Sequence, residues 1–396
     1  MKNKSQLIYR CYSVNDMEFT YCKLIDVLRD IHSGGTPSTE EPSYWGGNIK
    51  WLSSGETGQR FIRDTVDKIT QEGIMHSSTK LAKKHNVVMA CAGQGKTRGQ
   101  TSFLLDDMYI NQSVIALQPK QQVLPLYLFY DLSSRYDELR GGSDASSTRG
   151  SITTTALKNL PFKYPDLATQ QSIVNILYTY DELIENNNRR IALLEKAAQE
   201  LYKEWFVRFR FPGHETAKFE NGLPEGWMVM RVKDLVKRYP FGTLYKGDSI
   251  LSEGKTIVID QSANEYAGFH NNEPSHIANI DRPIILFGDH TCKYQLMTIP
   301  FSLSENVVPF TGAEAVETTY LYYLVNGIVE TTEYKRHWTE FVSKKVLVAD
   351  NKVQRLFREK IKDSLLLIES LKLQNRNLIK QRDLLLPRLM SGKLEV

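Results

Sequence analysis

The sequence lacks several features that would assign it at once to a common class of protein. It has no run of about 18 apolar residues, so no membrane-spanning helix is expected. Its N-terminal residues form no apolar signal region, which makes the cytoplasm the expected location. Its few cysteines are widely separated and form no CxxC pair, so free thiols in a reducing compartment are expected. They are Cys11, Cys22, Cys91 and Cys292.

Neither sign of charge dominates the composition. The chain has 50 Lys and Arg residues against 46 Asp and Glu residues, which gives a formal net charge of +4. This balance permits a polyanionic partner but does not require one. With 396 residues, 41% of them hydrophobic, the chain is too long for one compact core, and two or three globular domains are expected.

A long amphipathic segment over residues 167–206 organises the sequence. Its apolar positions advance in alternating steps of four and three residues with no Pro or Gly, the period of a helix that buries one narrow stripe against another helix. The stripe comprises Ile173, Leu177, Tyr180, Ile184, Asn187, Ile191, Leu194, Ala198, Leu201 and Trp205. At about 1.5 Å per residue the helix would be roughly 58 Å long, so a partner helix is expected.

The C-terminal segment, residues 353–389, is the predicted partner. A shift of 188 positions places Asn187 on Asn375, a polar residue that would fix the register of a helix pair at some cost in stability. The same shift places apolar stripe positions on Ile361, Leu365, Ile368, Ile379 and Leu389, with breaks at Lys372 and Arg382. Two unrelated long helices that share a period by chance are the alternative.

Two mixed α/β regions precede the two long helices and align weakly with each other. Asp26 and Gly34 match Asp234 and Gly242, and the aromatic residues 127–130 match residues 320–323. The predicted strands cover residues 86–90, 109–117, 256–260, 284–287 and 306–310, and the predicted helices cover residues 124–139 and 319–334.

These patterns predict an α+β fold with a duplicated plan. Two mixed α/β domains lie in pseudo-two-fold tandem, separated by two long antiparallel helices that form a coiled coil. The predicted bounds are residues 1–165 for the first domain, 166–211 for the central long helix, 212–348 for the second domain and 349–396 for the C-terminal long helix.

Four stretches carry a specific resemblance. They are SGGTP at residues 33–37 with YWGGNIKW at 44–51, RGSI at 149–152 with LP at 160–161 and QQ at 170–171, LYKEWFVRFRFPGH at 201–214, and LLPRLMSGK at 385–393. Together they resemble the specificity (DNA-recognition) subunit of type I restriction-modification systems. The second domain departs most, since it has FGT at residues 241–243 where the first domain has GGTP.

The resemblance implies a non-catalytic subunit that recognises a DNA sequence. Each mixed domain would be a target recognition domain that reads one half of a split, asymmetric site in double-stranded DNA. The helices would set the spacer and dock two methyltransferase subunits, which motor-nuclease subunits can join. S-adenosylmethionine, ATP and Mg would bind those partners and not this chain. The alternatives are a two-subunit type II-like system, a chain with its own nuclease activity, and a coiled-coil adaptor without a role on DNA.

Motifs for catalysis by this chain are weak. Residues 90–97 end in Gly-Lys-Thr after a predicted strand, but Ala90 replaces the first glycine of a phosphate-binding loop and no helix is predicted to follow. A DNA contact and a plain exposed hairpin are the other interpretations. The sequence has no Asn/Asp-Pro-Pro-aromatic methyltransferase motif and no HExxH. Asp106 and Asp107 form the nearest carboxylate pair for a nuclease, yet such a pair more often marks a turn.

The candidate DNA-binding residues are cations near predicted loops, of which only a minority is expected to touch DNA. They are Lys50, Arg60, Lys96, Arg98 and Arg149 in the first domain, and Lys246, Lys293, Arg336, Lys344 and Lys345 in the second. The candidates for helix pairing and partner docking are Ile173, Leu177, Tyr180, Asn187, Ile191, Leu201, Trp205, Ile361, Leu365, Ile368, Asn375 and Leu389. The basic-aromatic patch at residues 203–211 either lies on DNA phosphates or packs its rings. Packing is favoured, because exposed clusters of large rings are unusual.

Overall fold

The computed structural model describes residues 18–93, 95–144, 150–331, 333 and 335–396. The chain divides into two compact units. Unit 1 comprises Met1–Ile184 with Asn377–Val396, and unit 2 comprises Glu185–Arg376. Each unit therefore contains a part of each long helix. The domain bounds given above stay a prediction. Within the described residues, no helix is long and apolar enough to cross a membrane.

Among its described residues, unit 1 contains three sheets and five short α-helices besides its share of the long helices. Its strands are β1 (Thr20–Lys23), β2 (Leu28–Ser33), β3 (Trp45–Leu52), β4 (Phe61–Ile62), β5 (Lys68–Ile69), β6 (Lys80–Ala82), β7 (Val87–Ala90), β8 (Thr101–Leu104), β9 (Met108–Ile110), β10 (Val114–Pro119) and β11 (Pro161–Tyr164). Its short helices are α1 (Leu24–Val27), α2 (Gln71–Met75), α3 (Pro125–Ser134), α4 (Tyr136–Asp144) and α5 (Thr154–Lys158), and the long helix α6 spans Leu167–Tyr202. The strand orders are β2-β10-β7-β8-β4, β5-β3-β9-β6 and β1-β11.

The five-stranded sheet of unit 1 separates two hydrophobic cores. Successive side chains of a strand point to opposite faces. Val87 and Met89 of β7 accordingly join the core that contains α3 and the long helices, while Val88 joins a second core. That second core includes Leu52 of β3, so the four-stranded outer sheet packs on the face away from the helices. Strand β7 is buried on both faces, which explains its continuous apolar sequence.

In the part of unit 2 that the structure describes there are four sheets, three short α-helices and most of the second long helix. Its strands are β12 (Phe219–Glu220), β13 (Leu223–Pro224), β14 (Met228–Arg231), β15 (Val236–Arg238), β16 (Thr256–Ile259), β17 (Gly268–His270), β18 (Ile284–Gly288), β19 (Tyr294–Met297), β20 (Phe301–Leu303), β21 (Val307–Gly312) and β22 (Lys345–Val348). Its helices are α7 (Val232–Leu235), α8 (Thr318–Val325) and α9 (Trp338–Ser343), and the long helix α10 spans Asn351–Ser391. The strand orders are β15-β21-β18-β19, β17-β16-β20, β14-β22 and β12-β13.

The two units repeat one plan, which confirms the predicted fold class. The order β2-β10-β7-β8 in unit 1 corresponds to β15-β21-β18-β19 in unit 2, and the pair β1-β11 corresponds to β14-β22. In both units a helix follows the second strand of the larger order, α3 after β10 and α8 after β21. The outer sheets differ, with four strands in unit 1 and three in unit 2.

Glycines at matching positions allow close approach of the chain to a neighbouring segment. Gly34 follows β2, and a Cβ there would lie 1.8 Å from the carbonyl oxygen of Ile110. Gly242 follows β15 with φ +67, and its Cβ would lie 2.6 Å from the Cβ of Ser275. Both positions therefore require glycine, for space in unit 1 and for space and conformation in unit 2.

Some predicted elements differ in extent from the observed ones. The predicted strand at residues 109–117 is two strands, because Asn111 accepts a hydrogen bond from the backbone N–H of Ser113 and forms a turn. The predicted helix at residues 319–334 ends at Val325, since Asn326 takes an extended conformation and Gly327 has φ +81. The helix at residues 124–139 is interrupted at Arg135, which separates α3 from α4.

Candidate nucleic-acid interface and helix pair

The two long helices begin in the same way. Asp166 accepts hydrogen bonds from the backbone N–H groups of Ala168 and Thr169, at 2.8 and 3.1 Å. Asp350 accepts from Lys352 and Val353, at 2.9 and 3.2 Å. Each carboxylate caps N–H groups that have no partner within the helix.

The caps correct the sequence alignment of the two helices. They relate Ile173 to Phe357 and Leu177 to Ile361, one helical turn away from the correspondence given by the shift of 188. The predicted shift was therefore wrong as a repeat offset. It coincides instead with a contact, since Asn187 and Asn375 bind each other.

A buried glutamine follows each cap and clamps the long helix to the neighbouring short helix. Gln170 accepts a hydrogen bond from the N–H of Leu124, the residue before α3, and donates to the carbonyl groups of Gln122 and Pro165. Gln354 accepts from the N–H of Glu317, the residue before α8, and donates to the carbonyl of Ala349. The two units thus use the same side chain for the same connection.

The long helices run antiparallel, as predicted, in each unit considered by itself. In unit 1, Asp181 of α6 contacts Arg382 of α10, and Ile173 shares a core with Leu389. In unit 2, Asn187 donates to Asn375 at 2.9 Å. The later residue Trp205 lies against the earlier residue Phe357, with ring centroids 5.9 Å apart.

Most residues predicted to form the helix seam are buried. Ile173, Leu177 and Leu389 are buried in unit 1, and Asn187, Trp205, Ile361, Ile368 and Asn375 are buried in unit 2. Tyr180, Ile191, Leu201 and Leu365 are half-buried. Docking of a partner on any of these residues stays a prediction. Arg382, which interrupted the apolar pattern, is buried as well.

The basic-aromatic patch packs its rings into unit 2. Trp205 and Phe206 lie in a single π-helical turn, Lys203–Val207, and the Phe206 ring is 4.7 Å from that of Tyr320. Phe211 is buried in the same core. The cations of the patch point outward, and Arg208 and Arg210 pair with Glu204. The favoured packing of the rings therefore matches the structure.

Two candidate cations of unit 1 are engaged with protein groups. Lys50 donates to Asp106 at 2.5 Å and to the carbonyl of Arg63 at 2.7 Å. Its hydrogen bond lowers the pKa of the Asp106 carboxyl. Arg98 is buried and donates to the carbonyl of Gly150 at 2.5 Å. Arg149 lies outside the described residues. A role of these residues on DNA stays a prediction.

The Gly-Lys-Thr loop connects two antiparallel strands. It follows β7, and the next element is β8, so this loop does not lead into a helix. Lys96 in the loop is exposed and lines a cleft of about 630 Å³. The other lining residues include Gly58, Arg60, Gln100, Tyr136 and Arg140. A hairpin that presents a cation beside a polar cleft fits a nucleic-acid contact better than a nucleotide cradle.

The candidate cations of unit 2 lie on different elements. Lys246 pairs with Glu305 at 3.0 Å, Arg336 lies 3.8 Å from Asp289, and Lys344 pairs with Glu340 at 3.1 Å. Lys293 donates to the carbonyl of Asn264, and burial lowers its pKa. Lys345 is exposed at the start of β22, opposite Arg231 in the strand register.

The sequence reasoning missed one polar cluster in unit 1. Asp181 accepts hydrogen bonds from Arg60, Tyr130 and Arg382. A signal for this cluster is present in the sequence. Arg382 lies at a position of the buried stripe, but it interrupts the apolar pattern of that stripe. Among the described residues, no group of three or more His, Cys, Asp or Glu side chains could hold a metal ion.

The fold and the helix pair define a class of protein: a tandem of two related units, each built on one sheet plan and packed against its own part of two antiparallel long helices. Residues 17–196 match the family "Type I restriction modification DNA specificity domain". This region, a little under half of the chain, is therefore similar to a specificity domain of this family, and the resemblance inferred from the sequence is confirmed.

Curated relatives are similar to this chain over about half of its length. The MjaIX specificity subunit of Methanocaldococcus jannaschii is 29% identical over 227 residues, covering 54% of this chain and 51% of the relative. The EcoR124I/EcoR124II specificity subunit of Escherichia coli is 30% identical over 201 residues, covering 49% of each. The matches span about half the length of these relatives.

The similarity of fold to a solved structure extends over the rest of the chain. The crystal structure of a type I restriction-modification S subunit from M. genitalium aligns with a TM-score of 0.54 over 95% of this chain and 96% of that chain, at 14% identity. At this identity the likeness concerns the fold alone, and it covers both units.

Proposed function

We propose that the chain is the DNA sequence-recognition subunit of a type I restriction-modification complex and has no catalytic activity of its own. Each unit reads one half of a split site in double-stranded DNA. The observation that carries the proposal is the duplicated scaffold with different outer sheets, four strands in unit 1 and three in unit 2. Two different readers on one frame predict an asymmetric target.

Co-expression with a type I methyltransferase subunit tests this function. The expected product is a methylated motif with two unlike halves and a fixed gap, found by mapping methylated bases in the host DNA. The chain alone is expected to show no cleavage, methyl transfer or nucleotide hydrolysis, because S-adenosylmethionine, ATP and Mg bind the partner subunits. Cleavage by the purified chain alone would favour the alternative of an intrinsic nuclease.

The helix pair sets the gap between the two halves of the site in this proposal. A seven-residue insertion preserves the helix face that forms the seam and lengthens a helix by about 10 Å, or about three base pairs of DNA. Matched insertions next to Asn187 and Asn375 are expected to lengthen the gap by that amount. The same insertion in the β12–β13 hairpin serves as the control. An unchanged gap would contradict the spacer role.

Methyltransferase subunits dock on exposed apolar side chains of the long helices in this proposal. Leu384 in unit 1 is 60% exposed, and Leu193 in unit 2 is 66% exposed. Leu193→Lys and Leu384→Lys are expected to weaken co-purification with a methyltransferase subunit. Val66→Lys is the matched control, since Val66 is even more exposed but lies on neither long helix. Equal loss in all three variants would refute docking at these positions.

The exposed cations provide the phosphate contacts in this proposal. Lys96, Lys246 and Arg336 are the best candidates, because their side chains reach solvent. Each phosphate contact that is lost should lower the slope of log K against log salt concentration by about 0.9. Lys196→Gln on the exposed face of α6 serves as the control. Variants that leave both the affinity and the slope unchanged would remove these residues from the interface.

A further inference from the structure

A buried carboxylate in unit 1 binds side chains from three other segments. Asp181 on α6 is 4% exposed. Its Oδ1 accepts from Arg382 Nη1 at 2.6 Å and from Arg60 Nε at 3.2 Å. Its Oδ2 accepts from the Tyr130 hydroxyl at 2.8 Å and from Arg60 Nη2 at 3.3 Å. All the acceptor positions of the carboxylate are thereby used. We call these four residues the Asp181 node.

The node keeps Arg382 charged and Tyr130 protonated. Burial disfavours the charged guanidinium of Arg382, but the carboxylates of Asp181 and Asp383 outweigh it, and its pKa is raised. Burial and the nearby Asp181 raise the pKa of the Tyr130 hydroxyl, which therefore stays a proton donor. Buried ion pairs contribute little to net stability, whereas their best-attested use is to select one register or arrangement.

The residues around the node disfavour any other register of the two helices. Leu177 on α6 and Leu386 on α10 are buried within one turn of Asp181 and Arg382, respectively. If α10 slid by one turn along α6, Arg382 would move away from its carboxylate and towards apolar side chains. An unpaired buried charge is strongly unfavourable. The node therefore fixes the register of the helix pair in unit 1.

Arg60 extends the node to the edge of the sheet. It directly precedes β4, the last strand of the five-stranded sheet, and its carbonyl accepts a hydrogen bond from Phe103 of β8. Its guanidinium lies 4.8 Å from the ring centroid of Phe129. Arg60 also lines the cleft that contains Lys96 and Gln100. One carboxylate thus connects the helix pair to the loops proposed to contact DNA.

We propose that Asp181 is a positioning residue for DNA recognition by unit 1. Its carboxylate fixes the helix register and, through Arg60, the edge strand β4 beside β8, the strand that follows the Gly-Lys-Thr loop, and it does so without contacting DNA. The inference rests on the proposed DNA-recognition function and adds the residue that determines how one reader is oriented. It also assigns Arg60 to this node instead of to a DNA phosphate.

Unit 2 provides an internal control for the proposal. The equivalent caps at Asp166 and Asp350 place Leu365 at the position of Asp181. Leu365 packs against the hydrophobic core of unit 2, so this position holds an apolar side chain there. A change at Asp181 should consequently affect only the half-site read by unit 1.

The test compares Asp181→Asn with Asp181→Glu and the wild type. The full chain, with a methyltransferase subunit, selects its target from a library of randomised duplexes. We expect Asp181→Asn to reduce base discrimination about tenfold in one half of the motif and to leave the other half unchanged. The conservative Asp181→Glu should restore part of that discrimination. Glu185→Gln, which removes an exposed carboxylate on the next turn of α6, is the control.

Arg60 distinguishes positioning from direct contact. Arg60→Gln should relax the same half of the motif, and the double variant with Asp181→Asn should be no worse than either single variant, because both act through one contact. The salt dependence of binding should not change. A slope lower by about 0.9 would show that Arg60 neutralises a phosphate and would overturn the proposal.

Three further results would also overturn it. They are equal relaxation of both half-sites, a sharp motif in Asp181→Asn with only a lower melting temperature, and additive effects of the two substitutions. A wild-type chain that selects no sequence would refute the proposed function together with this inference. A wild type that selects a motif which Asp181→Asn retains would refute this inference alone.

Discussion

The two units share an inner frame and differ in what surrounds it. The inner sheets have the same strand order, and Gln170 and Gln354 make the same clamp to the short helix beside them. The outer sheets differ in strand number. The frame has to support the helix pair in both units, whereas the outer parts can differ without disturbing that support.

The contacts that attach the outer parts to the long helices also differ. Unit 1 uses the buried Asp181 node. Unit 2 uses exposed ion pairs, in which Asp281 contacts Arg358 at 2.7 Å and Lys362 at 2.8 Å. Exposed pairs are screened by salt, and buried pairs are much less so. We therefore expect the contacts that attach the outer part of unit 1 to the long helices to be stronger and less sensitive to salt than those of unit 2. The following predictions test that difference.

The largest effect is expected at Arg382. Arg382→Met leaves the Asp181 carboxylate buried with fewer partners and should destabilise unit 1 by about 3–5 kcal/mol. Amide hydrogen exchange, read separately for each unit, measures the change. Lys362→Met in unit 2 is the control and should have a much smaller effect, because its partner Asp281 is exposed and keeps its contact with Arg358. Similar losses in both units would contradict the contrast.

The glutamine clamps should be equivalent. Gln170→Leu and Gln354→Leu each leave buried backbone groups without partners, so each should cost about 2–4 kcal/mol in its own unit. Urea denaturation monitored by hydrogen exchange compares the two. Gln171→Leu, at an exposed neighbouring position, is the control. A clear inequality would show that the frames differ more than their geometry indicates.

A buried carboxyl makes the stability of unit 1 depend on pH. Burial raises the pKa of Asp131 in α3 from 3.8 to about 6, against the opposing effect of Arg135. Its favourable contribution is therefore complete below about pH 4 and is lost as the pH rises through 6. Asp131→Asn should stabilise unit 1 at pH 7–8 by on the order of 2 kcal/mol and should have little effect near pH 4. Thermal unfolding across this range measures it, and a stabilisation independent of pH would contradict the assignment.

The amide pair of unit 2 should have an intermediate effect. Asn187→Leu removes the hydrogen bond between residue 187 and the buried Asn375. It should lower the free energy of unfolding by about 1–3 kcal/mol. The double variant Asn187→Leu/Asn375→Leu should recover most of that stability, since two apolar residues pack without unpaired groups. Chemical denaturation of the two variants decides the point. If the double variant does not recover stability, the two amides must contribute more than the hydrogen bond that satisfies their polar groups.

The smallest effect is expected at Asp281. Lys362 and Arg358 lower the pKa of this exposed carboxyl. Asp281→Asn should speed amide exchange in the outer part of unit 2 at low salt and leave it unchanged at high salt, because salt already screens the pair in the wild type. Exchange in unit 1 is the reference. An effect that persists at high salt would show that the contact is better shielded than its exposure indicates.

The sequence by itself determined the periodic and the duplicated features of this protein. An apolar stripe with a regular step reports which face of a helix is buried, so the two long helices and most of their seam residues were predictable. The buried strand β7 and the aromatic helices α3 and α8 were predictable for the same local reason. The bounds of the two domains stay a prediction.

Only the tertiary structure decided which residues meet. In the sequence, Arg382 is only an interruption of the apolar pattern, because its partner Asp181 lies 201 positions away and on a different element. The repeat offset was wrong by one turn because periodicity fixes the face of a helix and leaves its register open. Register depends on pairwise contacts between buried polar groups, and those contacts exist only after the chain has folded.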